Sequence, residues 1–374
     1  MPPGGAADTG EMWITRPRVR RALTGAVAVA AVALVASAST ATSAVRSTGF
    51  FAQSTAVLGS EMWVLGVGHC SSATRCSEVM HSTDGGQTFA RVDTGPARWL
   101  YDVRGNQTPN VFFAGVHDGY AFTFLDRVWA THDAGRTWMR LPLTTPLAFA
   151  VGAGSAYAIT ATCGRRCTDF RLHRSDAHTD HWTSAPLPVQ SDTPLVQLVA
   201  RGTHVWIVGH AGNRNTIARS VDGGRSFTTS LAPCQYEYGA DFEAAPDGTL
   251  WVVCSHGTQA SALRSTDGGA HFTHVALTGL GNGAHFGAAS AQVAVVSPTG
   301  AWATLRRTTD GGRTWRQGWK ANIYTTYLVS IEFGDAHHGA LLLQTTPDPQ
   351  LGIERYGMWR TRDAGAHWSA VHFP

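Results

Sequence analysis

The octapeptide Ser220-Val-Asp222-Gly-Gly224-Arg-Ser-Phe227 decides how this 374-residue chain is read, because it recurs. Upstream stand Ser82-Thr-Asp84-Gly-Gly86-Gln-Thr-Phe89 and Thr131-His-Asp133-Ala-Gly135-Arg-Thr-Trp138. Downstream stand Ser265-Thr-Asp267-Gly-Gly269-Ala-His-Phe272, Thr308-Thr-Asp310-Gly-Gly312-Arg-Thr-Trp315 and Thr361-Arg-Asp363-Ala-Gly365-Ala-His-Trp368. A decayed copy, Ser175-Asp176-Ala-His-Thr-Asp180-His-Trp182, keeps the first hydroxyl and the last aromatic but has lost the central Asp and Gly. Successive copies begin 43 to 53 residues apart, a period that marks a propeller or solenoid.

Each part of the octapeptide has a local task. The leading hydroxyl and the Asp carboxylate accept hydrogen bonds from turn amides. The Gly residues supply the positive φ of a tight hairpin. The closing Trp or Phe carries large apolar area into the gap between neighbouring sheets. Around the copies lie short runs rich in β-branched and aromatic residues, such as 111–114, 117–122 and 127–130, or 329–333, 338–343 and 358–360. With turn signals between them, these runs read as four strands per repeat, which is one propeller blade. Seven copies in about 330 residues give about 47 each, a normal blade length. The fold expected over residues 45–374 is an all-β, seven-bladed β-propeller of four-stranded antiparallel blades, with the repeated hairpin between strands C and D.

The octapeptide resembles the Asp-box, or BNR, repeat of the sialidase-like superfamily of β-propellers, and the copies cover essentially all of residues 46–374. In architecture the chain is similar to single-domain seven-bladed propellers of the photosystem assembly-factor and sortilin-like kinds. The resemblance implies that Asp84, Asp133, Asp222, Asp267, Asp310 and Asp363 serve folding and lie away from any active centre. It also implies that the B–C loops and the D-to-A connections share the opposite face, where propeller enzymes build their sites. A sialidase would need an arginine triad, a Tyr–Glu nucleophile pair, an Asp acid and an Arg-Ile-Pro-type motif before the first box. That motif is absent, and the repeat count is seven where such sialidases have six blades.

The N-terminus reads as an address. Arg16, Arg18, Arg20 and Arg21 precede an uncharged Ala/Val-rich run from Ala22 to Ala38, followed by small residues to Ala44. A basic n-region, a short apolar core and an Ala-Ser-Ala triplet are the features of a secretory signal peptide over residues 1–44, cleaved after Ala38 or Ala44. Its removal takes away four Arg and two acids, leaving 25 basic against 24 acidic residues. A near-neutral chain offers no basic stripe for nucleic acid. No later stretch is long and apolar enough to span a bilayer as a helix. Six cysteines fall as the local pairs Cys70/Cys76, Cys163/Cys167 and Cys234/Cys254. None has the two-residue spacing of a zinc knuckle, so disulfides in an oxidising compartment are expected. No metal or other cofactor is expected from any motif.

Chemistry-bearing clusters are few. Tyr236, Glu237 and Tyr238, with Asp241 and Glu243, form the densest carboxylate–aromatic group in a chain with only six Glu beyond residue 44. Paired carboxylates are what glycoside hydrolysis requires, so Tyr236, Glu237, Asp241 and Glu243 are the candidate catalytic set. A solvated loop is the plainer reading of the same residues. Arg165 and Arg166 lie between Cys163 and Cys167, and with Arg75 and Arg214 on neighbouring B–C turns they make an anion-friendly rim. Arginine clusters recognise carboxylates well. Tyr236 and Tyr238 complete the candidate binding set. The phosphate loop, nucleophile elbow and paired-His zinc motif are all missing.

The sequence therefore points to a secreted, non-enzymatic propeller that presents a loop face to a protein or glycan partner. A glycoside hydrolase of sialidase-like descent is the alternative. Mass spectrometry of the exported protein should show an N-terminus at Ser39 or Val45 and no free thiols. The three local pairs should be bridged, each with modest stabilisation because short loops have little closure entropy to remove. A free thiol at Cys234 or bound zinc at the cysteines would overturn the disulfide expectation.

Overall fold

The computed structural model describes residues 50–69, 75–92, 109–235, 239–256, 259–280, 284–298, 304–320, 327–344 and 356–374. They form seven four-stranded antiparallel sheets, each built from four consecutive strands in sequence order. Blade 1 shows the pattern: strand A is Phe51–Leu58, B is Glu61–His69, C is Arg75–Ser82 and D is Ala90–Val92. The expected seven-bladed propeller is the fold, and there is no helix among the described residues.

Strand position sets side-chain polarity. Strand B lies inside its sheet, and neighbouring blades cover both of its faces. It therefore reads as a continuous apolar run rather than an alternating one. Val205, Trp206, Ile207 and Val208 of blade 4 are all buried, as are Leu250, Trp251, Val252 and Val253 of blade 5. Strand D is the outer edge and is polar: Thr183–Pro186 and Thr228–Leu231 are exposed at every position.

The apolar core is divided among the seams. Seven buried clusters each straddle one pair of adjacent blades. At the seam of blades 5 and 6, Trp251 meets Phe286 at 5.6 Å and Trp315 at 6.1 Å between ring centroids. Trp138, Trp182, Trp315 and Trp368 pack into seams, as the repeat predicts. The largest fully buried side chains, however, are Trp63, Trp206, Trp251, Tyr120 and Tyr157 on strand B. Most box aromatics are only half-buried. They cover the strand-B aromatic of the preceding blade, which reaches into the next blade's hairpin. Trp206 Nε1 donates to Gly268 O at 2.8 Å, and the Tyr120 hydroxyl donates to Ala177 O at 3.0 Å.

Among the described residues the ring closes without a shared strand. Blades 1 and 7 meet in a cluster that includes Phe50, Ala52, Met62, Phe89, Leu342 and Met358. Phe373, at the C-terminus, stacks edge-on against Phe50 at 4.7 Å and lies 5.1 Å from Phe89. The Val57 amide and Thr55 hydroxyl of blade 1 donate to Glu332 of blade 7 at 3.1 and 3.3 Å. Truncation after Gly357 removes the last box and strand D and exposes the blade 1 face, so it should yield no cooperatively folded protein. Phe373→Ala should fold but lose about 1–3 kcal/mol, the scale of a partly buried aromatic. Urea unfolding checks both, and an unchanged midpoint in Phe373→Ala would show that the tail does not help close the ring.

Candidate functional site

The repeated Asp hairpins form a fixed frame. In blade 1, Asp84 Oδ1 accepts from the amides of Gln87 and Thr88 at 2.8 and 3.0 Å, and Oδ2 accepts from the Thr88 hydroxyl at 2.6 Å. The Ser82 hydroxyl donates to Asp84 and accepts from the Gly86 amide. The same fork recurs at Asp133, Asp222, Asp267, Asp310 and Asp363. These donors favour the ionised form. The Thr88 hydroxyl and amide hold Asp84 well below the usual carboxylate range, and those of Thr314 hold Asp310 at about 2. In blades 5 and 7 an imidazole replaces the hydroxyl. His271 and His367 place Nδ1 2.7 and 2.6 Å from Asp267 and Asp363. Ala134 and Ala364 stand at φ 62° and 56° where other boxes have Gly, a conformation that costs an L-residue about 1–2 kcal/mol.

The decayed box of blade 3 is wired differently. The Ala177 amide still donates to Gly154 O, the bond by which intact boxes hold their own A–B turn. Asp180 turns toward blade 2 and shares the single Tyr120 hydroxyl proton with Ala177 O, its Oδ1 lying 2.9 Å from the hydroxyl. His132 lies between two carboxylates, with Nδ1 2.8 Å from Asp118 and Nε2 2.9 Å from Asp180. His178 Nδ1 is 3.3 Å from the same Asp118 oxygen. None of these residues stood out in the sequence. Comparing the second position of every box would have flagged His132, where the other intact copies have Thr, Val or Arg.

The A strands carry a second polar group around the axis. Asp241 and Glu243 belong to strand A of blade 5, Gly239–Ala244, not to a solvated loop. Asp241 lies 3.7 Å from His285 Nδ1 of blade 6. Arg201 of blade 4 reaches to blade 7 and donates to the carbonyls of Phe333 and Gly334, both at 2.7 Å. Burial pushes Glu332 up to about 7, against the Val57 amide, Arg201 and the Thr55 hydroxyl, which all favour its charge. Burial also raises Glu243 well above the ordinary range, helped by Asp241 and Glu332 and opposed by Arg201. Glu332 is thus tied to blade 1 and Arg201 to blade 7.

The face opposite the boxes is built from B–C turns and D-to-A connections. Arg165 and Arg166 are exposed at the tip of the blade 3 B–C hairpin, which the Cys163–Cys167 disulfide closes. Arg214 is exposed at the start of strand C of blade 4 and pairs in register with Ala211. Between these blades lies an open groove of about 400 Å³, lined by Phe170, Leu187, Val189, Gln190, Asp192 and Ala211 among others. The Cys234–Cys254 disulfide ties the connection entering blade 5 to that blade's strand B. Arg75 opens strand C of blade 1, in register with His69. Tyr236, Glu237, Tyr238 and Cys70 lie outside the described residues, and with Cys70 the Cys70–Cys76 pairing.

Fold and faces together define a single-ring, seven-bladed propeller. No family model matches the chain, and no curated protein matches it in sequence. Among solved structures it is similar to YCF48 from Cyanidioschyzon merolae, at 14% identity and TM-score 0.55, covering 85% of this chain and 96% of that one. It is also similar to YCF48 bound to D1 peptide, at 17% identity and TM-score 0.54, covering 85% and 94%. A third is the β-propeller domain of the Trilobed protease from Pyrococcus furiosus, at 6% identity and TM-score 0.51, covering 86% and 97%. These likenesses establish the fold.

The axial carboxylate sets a pH dependence. Burial pushes Glu332 from the ordinary carboxylate range up to about 7 in the folded chain, so between those values the native state holds a proton that the unfolded state has released. Stability should therefore fall as pH rises through that window. The Asp boxes have the opposite sign: their contribution is present above the ordinary Asp pKa and lost only in stronger acid. Urea midpoints from pH 4.5 to 7.5 should drop less steeply in Glu332→Gln than in the parent chain, and equal slopes would refute the assignment.

Proposed function

We propose that this chain is an exported, non-enzymatic binding propeller whose loop face takes a protein or glycan partner, with an extended peptide the best fit. The observation that carries this reading is the groove between blades 3 and 4. Its lining combines the part-buried Phe170 and Leu187 and the buried Val189 with Ser191 and the exposed Gln190 and Asp192. Apolar and polar lining side by side suit a segment that buries some side chains and hydrogen-bonds through its backbone. Arg165 and Arg166 stand on a hairpin of the same blade whose ends are covalently tied, so little ordering entropy is lost when they meet an acidic group. A propeller of this shape is known with a peptide bound, YCF48 with the D1 peptide.

Two disulfides fit an oxidising, extracytoplasmic compartment, and a signal peptide over residues 1–44 would deliver the chain there. Among the described residues no helix is long and apolar enough to cross a membrane. The hydrolase alternative rests on Tyr236, Glu237, Asp241 and Glu243. Of these, Asp241 lies 3.7 Å from His285 Nδ1 and Glu243 is held above the ordinary carboxylate range by burial.

Changing Arg165 and Arg166 together to Ala should reduce capture of the native partner from envelope extract at least tenfold, with the thermal midpoint unchanged. Equal capture by the double variant would remove the arginines from the interface. Fluorogenic sialosides and neutral glycosides should show no turnover. Robust turnover abolished by Glu237→Gln would replace the binding reading with the hydrolase.

A further inference from the structure

We propose that Asp118, His132 and His178 bind one divalent transition-metal ion of the zinc class, across the seam between blades 2 and 3. Asp118 lies in the A–B turn of blade 2, His132 in the C–D box of the same blade, and His178 in the decayed box of blade 3. One oxygen of Asp118 is 2.8 Å from His132 Nδ1 and 3.3 Å from His178 Nδ1. The three ligand atoms all lie within 4.8 Å of one another. Around a tetrahedral ion with bonds of about 2.0–2.1 Å, ligand atoms stand about 3.3–3.4 Å apart. The cluster thus needs only small side-chain adjustments to close on an ion. The imidazole planes are inclined at 77° with centroids 6.1 Å apart, so the two rings converge rather than stack.

The surroundings fit a metal ligand set. A ligating His commonly hands its other ring nitrogen to a carboxylate, which fixes its tautomer and orientation. His132 does this: Nε2 is 2.9 Å from Asp180, whose side chain is 8% exposed and is itself held by the Tyr120 hydroxyl. With an ion at Nδ1, the proton stays on Nε2 and is donated to Asp180. The other ligands are accessible. Asp118 is 19% and His178 76% exposed, which leaves room for water at the remaining position. Two imidazoles and one carboxylate select zinc-like ions over calcium or magnesium, which prefer all-oxygen shells.

Two further Asp–His pairs in the propeller sharpen the case. His271–Asp267 and His367–Asp363 are as short, at 2.7 and 2.6 Å, but each replaces the hydroxyl inside an intact box. Neither belongs to a three-ligand cluster among the described residues. Only at blade 3 has the box lost its Asp–Gly centre, and there a histidine is set against the neighbouring blade. The ion would join the two hairpins where the Asp fork no longer holds one of them.

The test uses tag-free full-length protein stripped with a chelator. Competition with a chromophoric chelator should show one equivalent of Zn(II), and Co(II) should give the ligand-field absorption of a tetrahedral N/O site. His178→Ala, at an exposed position, should leave the metal-free thermal midpoint unchanged, weaken binding at least tenfold and abolish the metal-dependent rise in that midpoint. Asp180→Asn should weaken binding by about 10–100-fold without itself removing a ligand. His271→Ala and His367→Ala should bind as the parent does. Absence of stoichiometric binding, undiminished binding in His178→Ala, or loss in the His271 or His367 variants would overturn the proposal and leave the cluster as an ion-pair network.

Discussion

A four-stranded blade has two apolar faces and can cover neither by itself. Everything in this propeller follows from that constraint. The buried clusters lie in the seams, so a blade gains its core only when both neighbours are present. At two seams the fully buried strand-B aromatic makes the coupling specific, because Trp206 and Tyr120 each end in a polar group that bonds the next hairpin, whereas the Trp63 indole N–H makes no such bond. An indole or phenol buried without such a partner would lose the hydrogen bond it makes to water. Where that bond is made, the polar tip fixes how deeply one blade seats against the next.

The repeated Asp hairpin supplies the other half of the joint. Its carboxylate locks a turn whose last residue is the aromatic that covers the preceding blade's strand B. Ala134 and Ala364 show how strongly the fork holds, since both keep a left-handed backbone without the freedom of Gly. Blade 3 shows what happens when the fork is lost. Its turn keeps the amide bond to Gly154 and local bonds to Asp176, and adds a tie to blade 2 through Asp180 and Tyr120. The Asp fork has been replaced by a smaller local set together with contact between blades.

Much of the architecture was legible because it repeats. Seven copies with strand-like runs between them lead to the blade count, and the residues of the Asp fork can be picked out from turn chemistry alone. The strand-B aromatics were less legible. Trp206 and Tyr120 sit inside apolar runs where nothing local separates the centre of a seam from its edge. The axial group was hidden for another reason. Arg201 and Phe333 are 132 residues apart, and their meeting depends on ring size, not on neighbouring sequence. His132 and His178 look ordinary in their own hairpins, and their relation appears only when blade 2 is set beside blade 3. The candidate arginines were readable as exposed hairpin residues, but the groove beside them was not, since its lining comes from two blades and a connection.

The seam between blades 1 and 7 holds both ends of the described ring, with Phe50 and Phe373 in contact and no strand laced across the join. Tension applied through the two ends would therefore act directly on this one boundary. Side-chain packing and the bonds to Glu332 would have to bear it, with no ladder of backbone hydrogen bonds to share the load. Such a ring resists heat through many seams acting together but yields to pulling at one. Its mechanical strength and its thermal stability are thus set by different residues.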